Sequence, residues 1–298
     1  MKILLLGKNG QVGWELQRAL APLGELIALD RYSAEYCGDL SNLDGLRRTL
    51  RAVAPDVIVN AAAYTAVDNA ESDRATAQLI NADATRVMAE EAAASGIWLV
   101  HYSTDYVFDG TGDIPWTETS QVSPVNFYGA SKLAGEQVIV ASGCKHLIFR
   151  TSWVYGVRGN NFAKTMLRLA KDRDTLNVIA DQFGAPTGAE LLADVASHAI
   201  IKVRMDEGLS GIYHLAASGE VSWHGYAQFV IDFAKAQGES LAVTSVLPIP
   251  SSSYPTPAMR PRNSRMDTRK LCDKFGLTLP HWSSGVTRML QEINLPIA

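Results

Sequence analysis

Ile3-Leu4-Leu5-Leu6-Gly7-Lys8-Asn9-Gly10-Gln11-Val12-Gly13 is the stretch from which the rest of the chain can be read. A short, wholly apolar run stops at a glycine, two more glycines follow at three-residue spacing, and an amphipathic segment, Gln11–Leu20, begins at once. An apolar run of this length without polar alternation is a strand covered on both faces. It is too short for the apolar region of a signal peptide. Glycines between strand and helix permit a tight turn and close backbone approach, and the helix N-terminus offers free N–H groups and a positive dipole end to a phosphate. Gly7, Gly10, Gln11, Val12 and Gly13 are therefore candidates to hold a dinucleotide pyrophosphate, although glycines after a strand are also ordinary turn residues.

Working outward, short apolar runs alternate with helix-length segments: Leu26–Leu29, Leu43–Val53, Val57–Asn60, an Ala-rich helix over Thr76–Ser95, Ile97–Ser103, Asn126–Ala141 and His146–Thr151. That rhythm predicts parallel strands with helical crossovers, an α/β fold of the Rossmann type with a doubly wound parallel sheet. After about residue 152 it loosens into helices near Phe162–Lys171, Glu190–Val203, Trp223–Ala236 and Ser284–Ile293. The expected division is a dinucleotide-binding domain over 1–152, with later segments returning to it, and a smaller α/β substrate domain over 153–298. Leu247–Pro261 carries five prolines, too many for a helix or central strand. It reads as an ordered loop of the ligand cleft, with a surface linker as the alternative.

Composition narrows the class. With 298 residues, 47% hydrophobic and 19% charged, the chain can bury a full core. A net charge of −4 leaves no overall footprint for nucleic acid. No run approaches the roughly 18 apolar residues of a membrane span. The three cysteines, Cys37, Cys144 and Cys272, are too scattered for a zinc site or a disulfide framework, which suits a reducing, cytoplasmic setting. The six histidines show no ligand spacing, so the residues themselves point to no metal.

Asp30 ends the second predicted strand, where a carboxylate can accept from an adenosine ribose and favour NAD. Arg31 beside it can pair with a 2′-phosphate and favour NADP, so use of both NADH and NADPH is expected. Asp39 and Leu40 precede a helix; Asp39 is either a contact to the adenine amine or a turn residue beside an N-cap at Ser41 or Asn42. Ala61, Ala62 and Ala63 follow the third strand as small residues that let a cofactor approach.

Tyr128 and Lys132 lie i,i+4 at the start of a helix, so phenol and ammonium share a face. A nearby cation lowers a phenol's pKa from about 10, making Tyr128 a usable proton donor to a ketone. Thr104 ends the preceding strand at the carboxyl edge of the sheet, where it can hydrogen-bond the same oxygen; the alternative is a hydroxyl bonded to backbone. Trp153 follows the strand His146–Thr151, where an indole can pack on a sugar ring or fill a core. Arg260 leads a basic cluster with Arg262 and Arg265, suited to a diphosphate or simply solvated.

The Gly7–Gly13 loop, Asn60-Ala61-Ala62-Ala63, Ser103-Thr104-Asp105-Tyr106-Val107-Phe108-Asp109-Gly110, Tyr128-Gly129-Ala130-Ser131-Lys132 and Arg150-Thr151-Ser152-Trp153-Val154-Tyr155-Gly156 together resemble the extended short-chain dehydrogenases and reductases. Among these the chain is similar to the dTDP-4-dehydrorhamnose reductases, a likeness continued by Asp181–Thr187 and Arg260–Ser264. The resemblance implies reduction of a ketone on a nucleotide-sugar by NADPH or NADH. It implies Tyr128 as acid, Lys132 as its partner and as holder of the nicotinamide ribose, and Thr104 orienting the ketone. It further implies Asp105, Trp153, Asn161, Phe162, Gln182 and Arg260 toward the substrate, a homodimer, and magnesium without identifiable ligands. Alternatives are a nucleotide-sugar epimerase or dehydratase, and a non-catalytic NADP-binding regulatory subunit. Asp105-Tyr106 after Thr104 speaks against a dehydratase, which needs a further acid/base pair there.

Overall fold

The computed structural model describes residues 1–294; the last four residues of the expected second domain lie outside it. Strands β1 (Lys2–Leu6), β2 (Glu25–Leu29), β3 (Val57–Asn60), β4 (Trp98–Thr104) and β5 (Lys145–Thr151) alternate with helices α1 (Gln11–Leu20), α2 (Leu43–Val53), α3 (Arg74–Gln78), α4 (Ala84–Ser95) and α5 (Phe127–Ser142). There follow β6 (Val154–Tyr155), α6 (Phe162–Asp172), β7 (Thr175–Ile179), β8 (Phe183–Gly184), β9 (Thr187–Gly188), α7 (Ala189–Val203) and β10 (Gly211–His214). The chain continues through β11 (Val221–Ser222), α8 (Trp223–Ala236), β12 (Ser245–Ile249), α9 (Arg269–Phe275) and α10 (Trp282–Asn294).

Six strands form a parallel sheet in the order β10-β5-β4-β3-β1-β2. Alternation along each strand sorts side chains to two faces. Ile3, Leu5, Val57, Val59, Val100 and Phe149 pack against α1 and α7, while Leu4, Leu6, Ile58, Leu99 and Ile148 pack against α2 and α4. Both faces are buried, which is why these strands read as unbroken apolar runs. The sheet order reverses beside β1, so β1 and β3 open a crevice at their carboxyl ends, the usual place for a ligand in such a sheet.

The later chain divides its allegiance. Residues of α7 and α9 pack into the sheet's own core, and β10 joins the sheet edge. Helices α6, α8 and α10 form a separate core around Tyr226, Trp282 and Val286, with a satellite at Leu176, Val178 and Val243. The Pro-rich stretch differs from the expected loop at its start. Leu247, Pro248 and Ile249 belong to β12, which pairs with β7 in a two-stranded sheet. An edge position tolerates a residue without an N–H.

The expected helix over Thr76–Ser95 is interrupted by a π-helical turn at Leu79–Asp83, a wide turn that often marks a functional site. Among the described residues no helix is long and apolar enough to cross a membrane.

Candidate active site

A cleft of ≈ 830 Å³ runs along the carboxyl ends of β1, β3 and β4. Its floor is the glycine turn. Gly7 has φ +88, and a Cβ there would sit 2.7 Å from Ala62 N. Only glycine lets the two loops approach so closely. Gly10 precedes α1 and its N–H donates to the Gly7 carbonyl at 3.0 Å. Gly7, Gly10, Gln11 and Val12 all line the cleft, but Gly13 does not. A Cβ at Gly13 would fall 2.0 Å from the Gly7 oxygen, so its part is to let α1 pack under the turn. The backbone brought together here suits a pyrophosphate.

At one end stand Asp30, Arg31, Asp39 and Leu40. Asp30 accepts from Asn9 Nδ2, from the Tyr32 N–H at 2.9 Å and from the Ser33 hydroxyl at 3.1 Å, contacts that hold it at the cleft rim. Arg31 is exposed, 5.8 Å from the Tyr32 ring. Asp39 accepts from the Ser41 N–H and hydroxyl, while Asn42, not Ser41, caps α2. Ala61, Ala62 and Ala63 form the wall after β3. The π turn holds that wall: Asn81 Oδ1 accepts from the Tyr64 N–H at 2.9 Å, and its Nδ2 donates to the Tyr64 carbonyl at 3.1 Å and to Ser131 Oγ at 2.9 Å.

The chemical end is built from the end of β4 and the start of α5. Asn126 caps α5 by accepting from Gly129 N–H, and Tyr128 and Lys132 both reach the cleft. Thr104 and Asp105, each nearly buried, lie opposite. Burial holds the Asp105 carboxyl up at about 6, opposed by the Thr104 hydroxyl, which donates to its Oδ1 at 3.0 Å. One of its oxygens, Oδ2, is buried without a protein partner. Such an acceptor is costly unless a ligand hydroxyl or amide meets it.

The phenol departs from expectation. Burial and the Asp105 charge push Tyr128 up to about 12, with the Thr104 hydroxyl pulling the other way. Lys132 does not lower it in this geometry, because its Nζ donates to the Tyr102 carbonyl at 2.6 Å and faces His101 Nε2 at 3.2 Å. Burial brings the lysine itself down to about 8, with Glu136 holding it up. The site thus favours a protonated phenol, the form that can donate to a ketone oxygen.

Trp153 lines the far wall with φ +49, a strained value for a residue with a Cβ. It stacks on Trp223, ring centroids 3.5 Å apart and planes 14° apart, and Trp223 also lines the cleft. The other predicted substrate residues stand behind the wall. Phe162 packs on Trp223. Asn161 caps α6 and reaches Gln11 Oε1 at 3.4 Å. Gln182 is buried away from the cleft. Arg260 is held by Asp68 and does not line the cleft. No group of three or more His, Cys, Asp or Glu among the described residues is placed to hold a metal ion, so the magnesium implied by resemblance finds no ligands here.

Asn81 and Trp223 escaped the sequence reading as site residues, and Asn60 entered it only as part of a motif. A polar residue closing an apolar strand is a usable signal for Asn60, but Asn81 and Trp223 become visible only through the contacts above.

A doubly wound parallel sheet, a glycine turn after its first strand, and a tyrosine and lysine one helical turn apart at its carboxyl edge define the class of Rossmann-type short-chain dehydrogenases and reductases. Within that class, the family model described as RmlD substrate binding domain matches residues 1–295, and the chain belongs to this family. A dTDP-4-dehydrorhamnose reductase of Salmonella typhimurium is 59% identical, with 98% of each chain covered. Among solved structures, the chain is similar to a dTDP-4-dehydrorhamnose reductase of Clostridium acetobutylicum, with TM-score 0.89, 33% identity and coverage of 99% of this chain and 100% of that one. It is also similar to the reductase of Bacillus anthracis solved in complex with NADP, with TM-score 0.86, 35% identity and coverage of 98% and 99%.

Proposed function

We propose that the chain reduces the C4 ketone of dTDP-4-dehydro-6-deoxy-L-mannose to dTDP-L-rhamnose, the last step of dTDP-rhamnose synthesis, with NADPH or NADH. The observation that carries this reading is the end-to-end 59% identity to a reductase of that name, joined to a cleft holding Thr104, Tyr128 and Lys132 together. The bound dinucleotide supplies the hydride. The glycine turn and α1 hold its pyrophosphate, Asp30 and Arg31 its adenosine ribose or 2′-phosphate, and Asp39 and Leu40 its adenine.

Thr104 orients the ketone oxygen, and Tyr128, protonated at neutral pH, gives its proton to that oxygen as negative charge develops there. Asp105 accepts from a sugar hydroxyl, and Trp153 packs on the sugar ring. The intact tyrosine and lysine, together in the cleft, favour an enzyme over the regulatory-subunit reading. Residues 1–152 would form the dinucleotide domain, joined by α7 and β10, with the remainder of 153–298 serving the nucleotide-sugar. We further propose a cytoplasmic homodimer serving lipopolysaccharide O-antigen synthesis.

The test is loss of NADPH absorbance on adding dTDP-4-dehydro-L-rhamnose, with Tyr128→Phe alongside. Oxidation by wild type, and kcat lowered by roughly a hundredfold or more in a variant that still binds cofactor, is expected. Full activity in the variant would remove Tyr128 from the role of acid. No oxidation by wild type with other keto-sugars also inert would overturn the reductase reading.

A further inference from the structure

Behind Lys132, three buried side chains form a line whose donors and acceptors can be assigned from one end to the other. The Ala62 N–H can only donate, so the Asn60 atom 3.1 Å from it is the amide oxygen. The Asn60 amide nitrogen then points the other way and donates to His101 Nδ1 at 3.1 Å. Burial by itself disfavours the charged ring and holds His101 neutral, well below its ordinary pKa. A neutral ring that accepts at Nδ1 carries its proton on Nε2.

That Nε2–H faces Lys132 Nζ at 3.2 Å. An ammonium has only donors to offer, so two N–H groups would confront each other. Asn60 and His101 are 1% exposed and Lys132 2%, too enclosed for either side chain to swing aside. The conflict disappears if Lys132 is the uncharged amine, accepting from Nε2–H while donating to the Tyr102 carbonyl. We infer that His101 is a positioning residue for Lys132: held in its Nε2–H tautomer by Asn60, it favours the uncharged amine over the ammonium. This rests on the reading of Lys132 as partner of Tyr128.

The other charged and titratable groups around the lysine act in defined directions. On its own helix, Glu136 favours the ammonium, but Arg150 of β5 is paired to that carboxylate at 2.6 Å. Tyr128 shares the lysine's face, and Asp105 beyond β4 acts on Tyr128. Ala62 lies on the cleft wall, so the line also couples that wall to the lysine.

The deciding measurement is the His101 tautomer in ¹⁵N-labelled protein at neutral pH, from two-bond ¹⁵N–¹H correlations assigned against His101→Gln. An Nε2–H pattern is expected, and an imidazolium or Nδ1–H pattern in the wild type overturns the inference. Asn60→Asp keeps the shape but replaces the donor by an acceptor. The tautomer should swap to Nδ1–H, and the alkaline limb of the kcat profile should move up by about one pH unit. A limb shift without a tautomer swap would reflect the new charge alone and overturn the proposed cause. Where Asn60→Asp fails to fold, the wild-type spectrum still decides. Lys132→Met at the wild-type kcat would overturn the catalytic reading beneath the inference, an outcome distinct from a wrong tautomer.

Discussion

Arg260 grips Asp68 through both terminal guanidinium nitrogens, at 3.1 and 2.7 Å. The pair joins the Pro-rich segment to the loop that follows β3, and the Ala258 N–H reinforces it by donating to the same carboxylate at 3.2 Å. Arg260 holds Asp68 below the usual carboxylate range. Val67, the residue before Asp68, is on the cleft wall, so the ion pair braces that wall from behind.

The first prediction concerns this brace. Both side chains are partly exposed, so the pair is worth about 0.5–1 kcal/mol rather than the larger value of a buried one. Arg260→Ala and Asp68→Asn should each raise KM for the nucleotide-sugar several-fold, and the double variant should be no worse than either. Because Asp68's folded pKa is depressed, the pair's contribution is present above the unfolded value near 4 and fades as pH falls below it. Independent, additive effects in a double-mutant cycle would show that Arg260 acts on the ligand directly.

Much of this was legible from local pattern, and what was not depends on register and long-range contact. The strands β1, β3 and β4 could be read because burial on both faces removes polar alternation. Tyr128 and Lys132 could be paired because helical spacing alone puts them on one face. Asn60 and His101 face each other only because β3 and β4 are neighbours in that register, which no local pattern encodes. Arg260 looked free for a phosphate because its partner is 192 residues away. The phenol was expected to be lowered by Lys132, since i,i+4 spacing shows proximity but not where Nζ turns. Trp223, read only as the first residue of a helix, turned out to be the platform under Trp153.

A second prediction follows from the ion pair that ties α5 to the sheet. Glu136 and Arg150 are 2% and 3% exposed, bonded at 2.9 and 2.6 Å, and the Ser103 hydroxyl donates to the same carboxylate. Removing one partner leaves an uncompensated buried charge, so Glu136→Gln should cost about 3–5 kcal/mol in urea unfolding. Glu136→Leu combined with Arg150→Met should recover most of that loss, because no charge then remains to be desolvated. A double variant as unstable as the single one would mean the pair's geometry, rather than its charge balance, holds the helix.

The last prediction sets stability against function at Asp105. Its carboxyl titrates at about 6 in the folded protein, against 3.8 for the free group. A raised acid binds more protons folded than unfolded between those values, so folding stability falls as pH rises from about 4 to 6 and stays lowered above. Asp105→Asn keeps the shape and has no charge to desolvate. It should therefore stabilise the protein by about 3 kcal/mol at pH 8, with the advantage gone below pH 4. The same change replaces an acceptor that faces the cleft by an amide, so KM for the nucleotide-sugar should rise while cofactor affinity holds. Thermal melts at the two pH values, run beside initial rates, separate these effects. Equal melting temperatures for variant and wild type at pH 8 would show that Asp105 is compensated without ligand, and its unpaired oxygen would then cost the fold nothing.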